Sequence, residues 1–240
     1  MNVTVGAFVV AALAVGSGSV VQGSVGFGLN LLAAPFVAIV LPAALPASLV
    51  LVALPLALGT FRRERHAVEW GAWGWMLVAA VPGTLLGLLI VGHASADGLA
   101  ILVGGITLVG VGLSIISPPI TISPATSTVA GFVSTVFGTA SSVGGPPVAL
   151  LFQHHGGPVA RSTLSAFFAA TAVLSLLGYV ATGNITLDQL LLALTLIPFM
   201  VAGLWASRHL HGVVDGGWLR PAVLALSAVA GAVAIVHGVL

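Results

Sequence analysis

The residues best able to do chemistry sit in two glycine-dense breaks. One is Gln22-Gly23-Ser24-Val25-Gly26-Phe27-Gly28-Leu29-Asn30, which runs on into Pro35; the other is Gly138-Thr139-Ala140-Ser141-Ser142-Val143-Gly144-Gly145-Pro146-Pro147. Glycine permits close backbone approach, and a helix that begins at such a break aims unpaired N–H groups and its positive dipole end at whatever fills it. Pro146 or Pro147 suits a first helical turn, where the missing N–H costs nothing. Two helix starts meeting from opposite sides of a membrane make a site for a small anion. Its candidate residues are Gln22, Ser24, Gly26, Gly28, Asn30, Thr139, Ser141, Ser142, Gly144, Gly145 and Pro146, with the hydroxyls as donors. The competing use of the same residue types is close helix packing, the use expected of Gly83-x-x-x-Gly87.

Arg161 completes the candidate set. It opens a segment within a long uncharged stretch, and a guanidinium at the mouth of an anion path attracts solute over a Debye length of about 8 Å and pairs with it bidentately. The same side chain serves equally as a positive-inside anchor reaching for headgroups. The uncharged tracts contain no Asp or Glu, which leaves histidine as the group titrating near neutrality. His154-His155 reads as a proton relay, an anion gate or a headgroup-level loop pair; His66, His93, His209, His211 and His237 fall at segment ends. His209-x-His211 has only Asp215 as a nearby carboxylate, so no metal site is assigned. No convergent acid, base or metal constellation of an enzyme stands out, and no catalytic residue or cofactor is expected. Cysteine is absent, which excludes thiolate metal sites and disulfide relays.

The elements that position these residues must be membrane helices. The chain is 59% hydrophobic and 5% charged, whereas a soluble domain is charged at about a quarter of its positions. The tracts Met1 to Phe61 and Gly98 to Ala160 carry no charge, and since a span needs about 20 residues, each holds more than one segment. The start, MNVTVGAFVV, lacks a basic n-region and reads as a retained span. Gly and Pro punctuation divides the chain into ten segments near 4–21, 27–41, 45–61, 70–91, 97–116, 123–138, 144–154, 160–182, 187–207 and 219–238. Segments 27–41 and 144–154 are short and read as half-helices or re-entrant arms. The fold class is therefore all-α polytopic, with about 8–10 hydrophobic segments.

A constant shift of 116 residues (144 − 28) pairs Gly28 with Gly144, Pro82 with Pro198, Gly87 with Gly203 and His93 with His209. This predicts two repeats, 1–120 and 121–240, with no soluble domain. Arg62, Arg63 and Arg65 place loop 62–69 in the cytoplasm, and Arg208 and Arg220 do the same for loop 208–220, while the loops at His93 and at 178–186 lack arginine. That alternation predicts inverted repeats, with both termini outside and every arginine on one face.

The paired GxG and GGPP breaks, the Val68-Glu69-Trp70 entry to a span and the Pro82-Gly83-x-x-x-Gly87 turn resemble the TauE/SafE family of permeases, the sulfite exporters. Gly-Gly-Pro-Pro followed by Arg161-Ser162-Thr163 is the most specific part, and the resemblance covers nearly the whole chain. It implies a plasma-membrane (inner-membrane) secondary transporter for a sulfur-containing anion such as sulfite, a sulfonate or thiosulfate, driven by an ion gradient or by the solute's own. The first break departs from the family pattern: Gly28-Leu29-Asn30 stands where a glycine run is usual, marking Asn30 as a solute contact of this chain's own. Other readings are transport of another small anion, of a cation through backbone carbonyls, or an assembly subunit. Expected partners are the anion and the bilayer, not nucleic acid; a homo-oligomer is compatible with the sequence.

Overall fold

The computed structural model describes residues 3–116, 120–208 and 219–239. Every regular element among them is helical. In chain order they are α1 (Val5–Val25), α2 (Leu29–Val40), α3 (Ala47–Glu64), α4 (Trp70–His93), α5 (Ala96–Ile116), α6 (Pro124–Ser141), α7 (Gly145–Phe152), α8 (Gly157–Ala181), α9 (Leu187–Ser207) and α10 (Leu219–Val239), with 3-10 turns at Pro42–Ala44 and Arg65–Ala67. All ten expected segments are present. The main differences are that α1 and α6 run a turn further, to Val25 and Ser141, and that α3 continues through Arg62 and Arg63 to Glu64. The loop at 209–218, with His209, His211 and Asp215, lies outside the described residues, as does the Arg220 side chain.

Helices α1, α4, α5, α8, α9 and α10 are long and apolar enough to cross a membrane. By contrast α2, with 12 residues, and α7, with 8, are too short: at 1.5 Å per residue they reach about 18 and 12 Å, against a hydrocarbon core of about 30 Å. Each short helix folds back on the one before it. Helix α1 ends at Gly26 in the left-handed conformation (φ 99°), its N–H bonded to the Gln22 carbonyl, and Gly28 (φ 126°) then starts α2. Helix α6 ends the same way at Ser142 (φ 65°), capped onto the Gly138 carbonyl, and Gly144 precedes α7. The result is two helical hairpins, α1–α2 and α6–α7.

Small residues set the helix contacts, as they must where lipid offers no hydrophobic gain for helix association. In α4 a Cβ on Gly83 would lie 2.9 Å from the Phe132 carbonyl oxygen, and one on Gly87 would lie 2.6 Å from the Thr139 Cβ. The matched Gly203 in α9 is packed just as closely on Gly16 and Ser19 of α1. The principal pairings are α4 with α6, α1 with α9, α3 with α8, α5 with α10, α1 with α2, and α6 with α7. Apolar side chains point outward along α4 (Val78, Val81, Leu85, Leu89), α9 (Leu187, Leu191, Leu194, Val201) and α10 (Leu226, Val229, Val233). These are the faces a bilayer would cover.

The α4–α6 crossing gives a stability test. A Cβ at Gly131 would stand 2.6 Å from the Met76 backbone, whereas one at Gly105 meets nothing within 4 Å. Gly131→Ala is expected to cost about 1–3 kcal/mol by overpacking, and Gly105→Ala to be neutral or slightly stabilising. Thermal unfolding of both variants in detergent checks the contrast.

Candidate functional site

The two hairpin tips meet. The Asn30 Nδ2 donates to the Ser142 carbonyl across them at 3.0 Å, and a Cβ on Gly145 would stand 2.9 Å from the Phe27 ring. Beside this junction, α3 and α8 complete the wall of a cavity with about 70 Å³ open to water-sized solutes. One water needs about 10–15 Å³ on that measure, so the space suits a small oxyanion or a few waters.

Of the sequence candidates, Gln22, Gly28, Asn30, Thr139, Ser142, Gly144 and Gly145 line this cavity. The other five lie elsewhere. Ser24 donates to the Val20 carbonyl (2.9 Å) and Ser141 to the Phe137 carbonyl (2.8 Å), each within its own helix. Pro146 packs against Gly110 of α5, and Gly26 against the Arg161 backbone. Arg161 is engaged by a carboxylate: its Nε lies 3.0 Å from both Glu64 oxygens and its Nη2 2.8 Å from one of them. The remaining Nη1 reaches the Ser24 carbonyl at 3.4 Å. Arg63 adds a 2.8 Å bond to the Gly23 carbonyl. Arginines and a glutamate thus clasp the outer side of the first hairpin tip, and the cavity itself is lined by no titratable side chain.

Gly138 of the second break also lines the cavity, and so do residues outside both breaks: Ser134 and Thr135 of α6, Phe168, Thr171 and Ser175 of α8, and Val50 and Ala53 of α3. Their signal was present as helical spacing: 134, 135, 138 and 139, then 168, 171, 172 and 175, each make one face. It was masked because Ser, Thr and Gly also build plain helix contacts.

Local bonding fixes what the wall presents. Gln22, 5% exposed, accepts the Leu29 N–H at 3.2 Å through Oε1, which caps the start of α2 and leaves the Nε2 donors to the cavity. At the start of α7, Pro146 and Pro147 have no N–H, so Gly145 is the donor there. Ser134 donates to the Gly144 carbonyl. Thr135 donates to Gly131 (2.8 Å) and Thr171 to Phe167 (3.0 Å). Thr139 and Ser175 share a hydrogen bond of 2.8 Å, and the Tyr179 hydroxyl fixes the Thr139 carbonyl. Among the described residues no group of three metal-ligating side chains converges. His66, His154, His155 and His237 are exposed; His93 bonds the Leu89 carbonyl at a helix end, and His155 stacks edgewise on Phe152.

Two motifs that carry the family resemblance touch: the Glu69 N–H at the α4 start donates to the Thr163 hydroxyl in Arg161-Ser162-Thr163 at 2.9 Å. The family model described as sulfite exporter TauE/SafE matches residues 9–234. No curated protein and no solved structure matches the chain.

The clasp at the tip is testable by a mutant cycle. The Glu64 and Arg161 side chains are each only 17% exposed, so Arg161 without Glu64 is a poorly solvated charge, and Glu64 without Arg161 keeps only Arg63, at 3.7 Å. Arg161→Gln or Glu64→Gln alone is expected to cost about 2–3 kcal/mol, and the double variant to recover part of that loss. Melting temperatures of the four proteins in detergent give the coupling.

Proposed function

From its membership of the TauE/SafE family, to which this chain belongs, we propose that it is a secondary transporter carrying a small sulfur-containing anion, such as sulfite, a sulfonate or thiosulfate, through the cavity between the hairpin tips. The observation that carries this reading is the uncharged polar cavity at the junction of two broken hairpins. A cation site in hydrocarbon recruits carboxylates, and none lines this one. The amide of Gln22 and the N–H of Gly145 supply donors to an anion, and the helix starts of α2 and α7 add positive dipole ends.

Transport further requires that the site be reachable from each side in turn, and an inverted duplication offers two equivalent ways to close around it. Several pairings support that arrangement. Exchanging α1–α5 for α6–α10 turns α4 with α6 into α9 with α1, α1 with α2 into α6 with α7, and α4 with α8 into α9 with α3. Arg63 lies close enough to both Arg161 and Arg208 to feel their charge, which gathers these arginines at one end of the bundle; we assign that end to the cytoplasm.

Proteoliposomes loaded with labelled sulfite, methanesulfonate, thiosulfate or acetate test the transport reading. Sulfur oxyanions should move faster than in protein-free vesicles, with acetate and matched sodium or potassium ions left behind. Gln22→Met removes donors to a charged solute, worth about 1.5–3 kcal/mol, so sulfite affinity should fall about 10- to 150-fold. A flux that follows the cation would defeat the reading.

Orientation is tested separately in this cysteine-free chain. Single cysteines at Ala67 and Ser95 should be labelled by an impermeant thiol reagent from opposite sides of the membrane, Ala67 from the cytoplasm. Labelling of both from one side would rule out the proposed topology.

A further inference from the structure

The cavity wall offers more acceptors than donors, a pattern that a bare, fully ionised oxyanion does not complement. Ser134, Thr135 and Thr171 give their protons to carbonyls, as does Ser142 to Ser141, so what they turn to an occupant is oxygen lone pairs. Asn30 adds a firmer constraint. Its Nδ2 is held by the Ser142 carbonyl, which fixes the amide's orientation, and its Oδ1 is enclosed with no hydrogen-bond partner. An enclosed acceptor left unpaired costs about 1–3 kcal/mol. A small movement of the tip that opens Oδ1 to the cavity lets an N–H or O–H of the occupant, or a water, remove that cost.

The donors, meanwhile, are few, and one of them is the proton that the bonded Thr139–Ser175 hydroxyl pair leaves unused. Gln22 is buried as a residue, its Oε1 accepts the Leu29 N–H, and its Nε2 is the amide end left for the cavity. The Gly145 N–H stands beside two prolines, and the Leu29 N–H is already taken by Gln22. Such a set can balance one negative charge. A dianion is a different matter, because the desolvation cost rises with the square of the charge and no lining residue carries a positive charge. The titratable groups on elements packed against α2 are Asp97 at the start of α5, Arg62, Arg63 and Glu64 at the end of α3, and Arg220 and His237 near the ends of α10. None of those whose side chains are described is among the lining residues.

We propose that the cavity takes its solute as a monoanion that still carries a hydroxyl proton, hydrogensulfite rather than the sulfite dianion, with Asn30 Oδ1 accepting that proton's hydrogen bond. This rests on the transport reading above and refines it. The proton crosses the membrane bound to the anion, so solute and proton move as one unit of charge −1 and no protein group has to titrate in the cavity.

The test is sulfite flux into proteoliposomes with equal pH inside and out, stepped from mildly acidic to mildly alkaline across the second ionisation of sulfurous acid. Protein-free vesicles correct for leakage of sulfur dioxide. Methanesulfonate, a monoanion with no hydroxyl at any of these pH values, reports any titration of the protein itself. At fixed total sulfite the flux should fall about 10-fold per pH unit above that ionisation, while methanesulfonate flux stays level. Asn30→Leu, which also gives up the bond to the Ser142 carbonyl and is therefore compared at equal amounts of folded protein, should bring sulfite down to the methanesulfonate rate. A sulfite flux that is level or rises with pH overturns the proposal and leaves the transport reading standing, and this wild-type profile decides the matter even if the variant fails to fold. Failure of every sulfur oxyanion to move faster than in protein-free vesicles removes the transport reading, and the proposal with it.

Discussion

A helix broken within the protein must have its severed backbone groups satisfied by neighbouring protein, and the junction of the two hairpins depends on that requirement. With no water available, each orphaned N–H or carbonyl costs several kcal/mol. The chain meets the requirement twice by the same device: a left-handed residue closes the first helix onto a carbonyl one turn back, through Gly26 on Gln22 and Ser142 on Gly138. The tips are then tied to each other, since Asn30 bonds the Ser142 carbonyl and Gln22 caps Leu29. Polar groups that could serve a solute are therefore first of all the groups that make the break affordable, and Gln22 does both with its two amide ends.

The close contacts follow from the same scarcity of driving force. Lipid is as apolar as leucine, so helices associate by contact and hydrogen bonding, which favours residues that let backbones approach. Glycines at 83, 87, 131 and 203 sit at the α4–α6 and α1–α9 crossings, where a side chain would collide with backbone or Cβ atoms of the neighbour. Charge is kept away from this interior. The Arg161–Glu64 pair lies past Gly26, at the outer side of the tip, where two opposite charges and nearby carbonyls answer one another. A cavity left neutral can hold an anion through dipoles without binding it so firmly that release becomes slow.

The fold was legible because its signals are long and physically necessary. Twenty-residue apolar stretches cannot be anything but spans, and glycine and proline marked where they stop, so all ten segments fell close to their observed bounds. The helix ends at α1 and α6 were read short, because Gln22-Gly23-Ser24 and Thr139-Ala140-Ser141 look like loop and yet continue the helix. The hairpin tips were legible as a place where residues from both halves converge; the α8 face of the cavity was not. Thr171 and Ser175 are ordinary membrane-helix residues whose neighbours are set by tertiary packing alone. Arg161 shows the same limit: its spacing from other charges in the sequence says nothing of Glu64, nearly a hundred positions away and 2.8 Å distant in space.

The proposed shift of 116 residues sets polar residues of the cavity wall against small or rigid residues of the other half. It places Gly18 opposite Ser134, Gly23 opposite Thr139, Pro55 opposite Thr171 and Gly59 opposite Ser175. The second-half members of these pairs line the cavity. Three of the first-half members are spent on packing instead: Gly18 meets the Leu29 backbone, Gly23 meets Ser207 and Leu204, and Gly59 meets Leu204. The reverse holds at the tips, where Gln22 and Asn30 of the first half answer Gly138 and Pro146 of the second. Each matched pair therefore gives a polar group from one half and a small or rigid residue from the other. Two bulky polar members at one junction would fill the space between the tips, whereas one polar member beside a small or rigid one leaves it open.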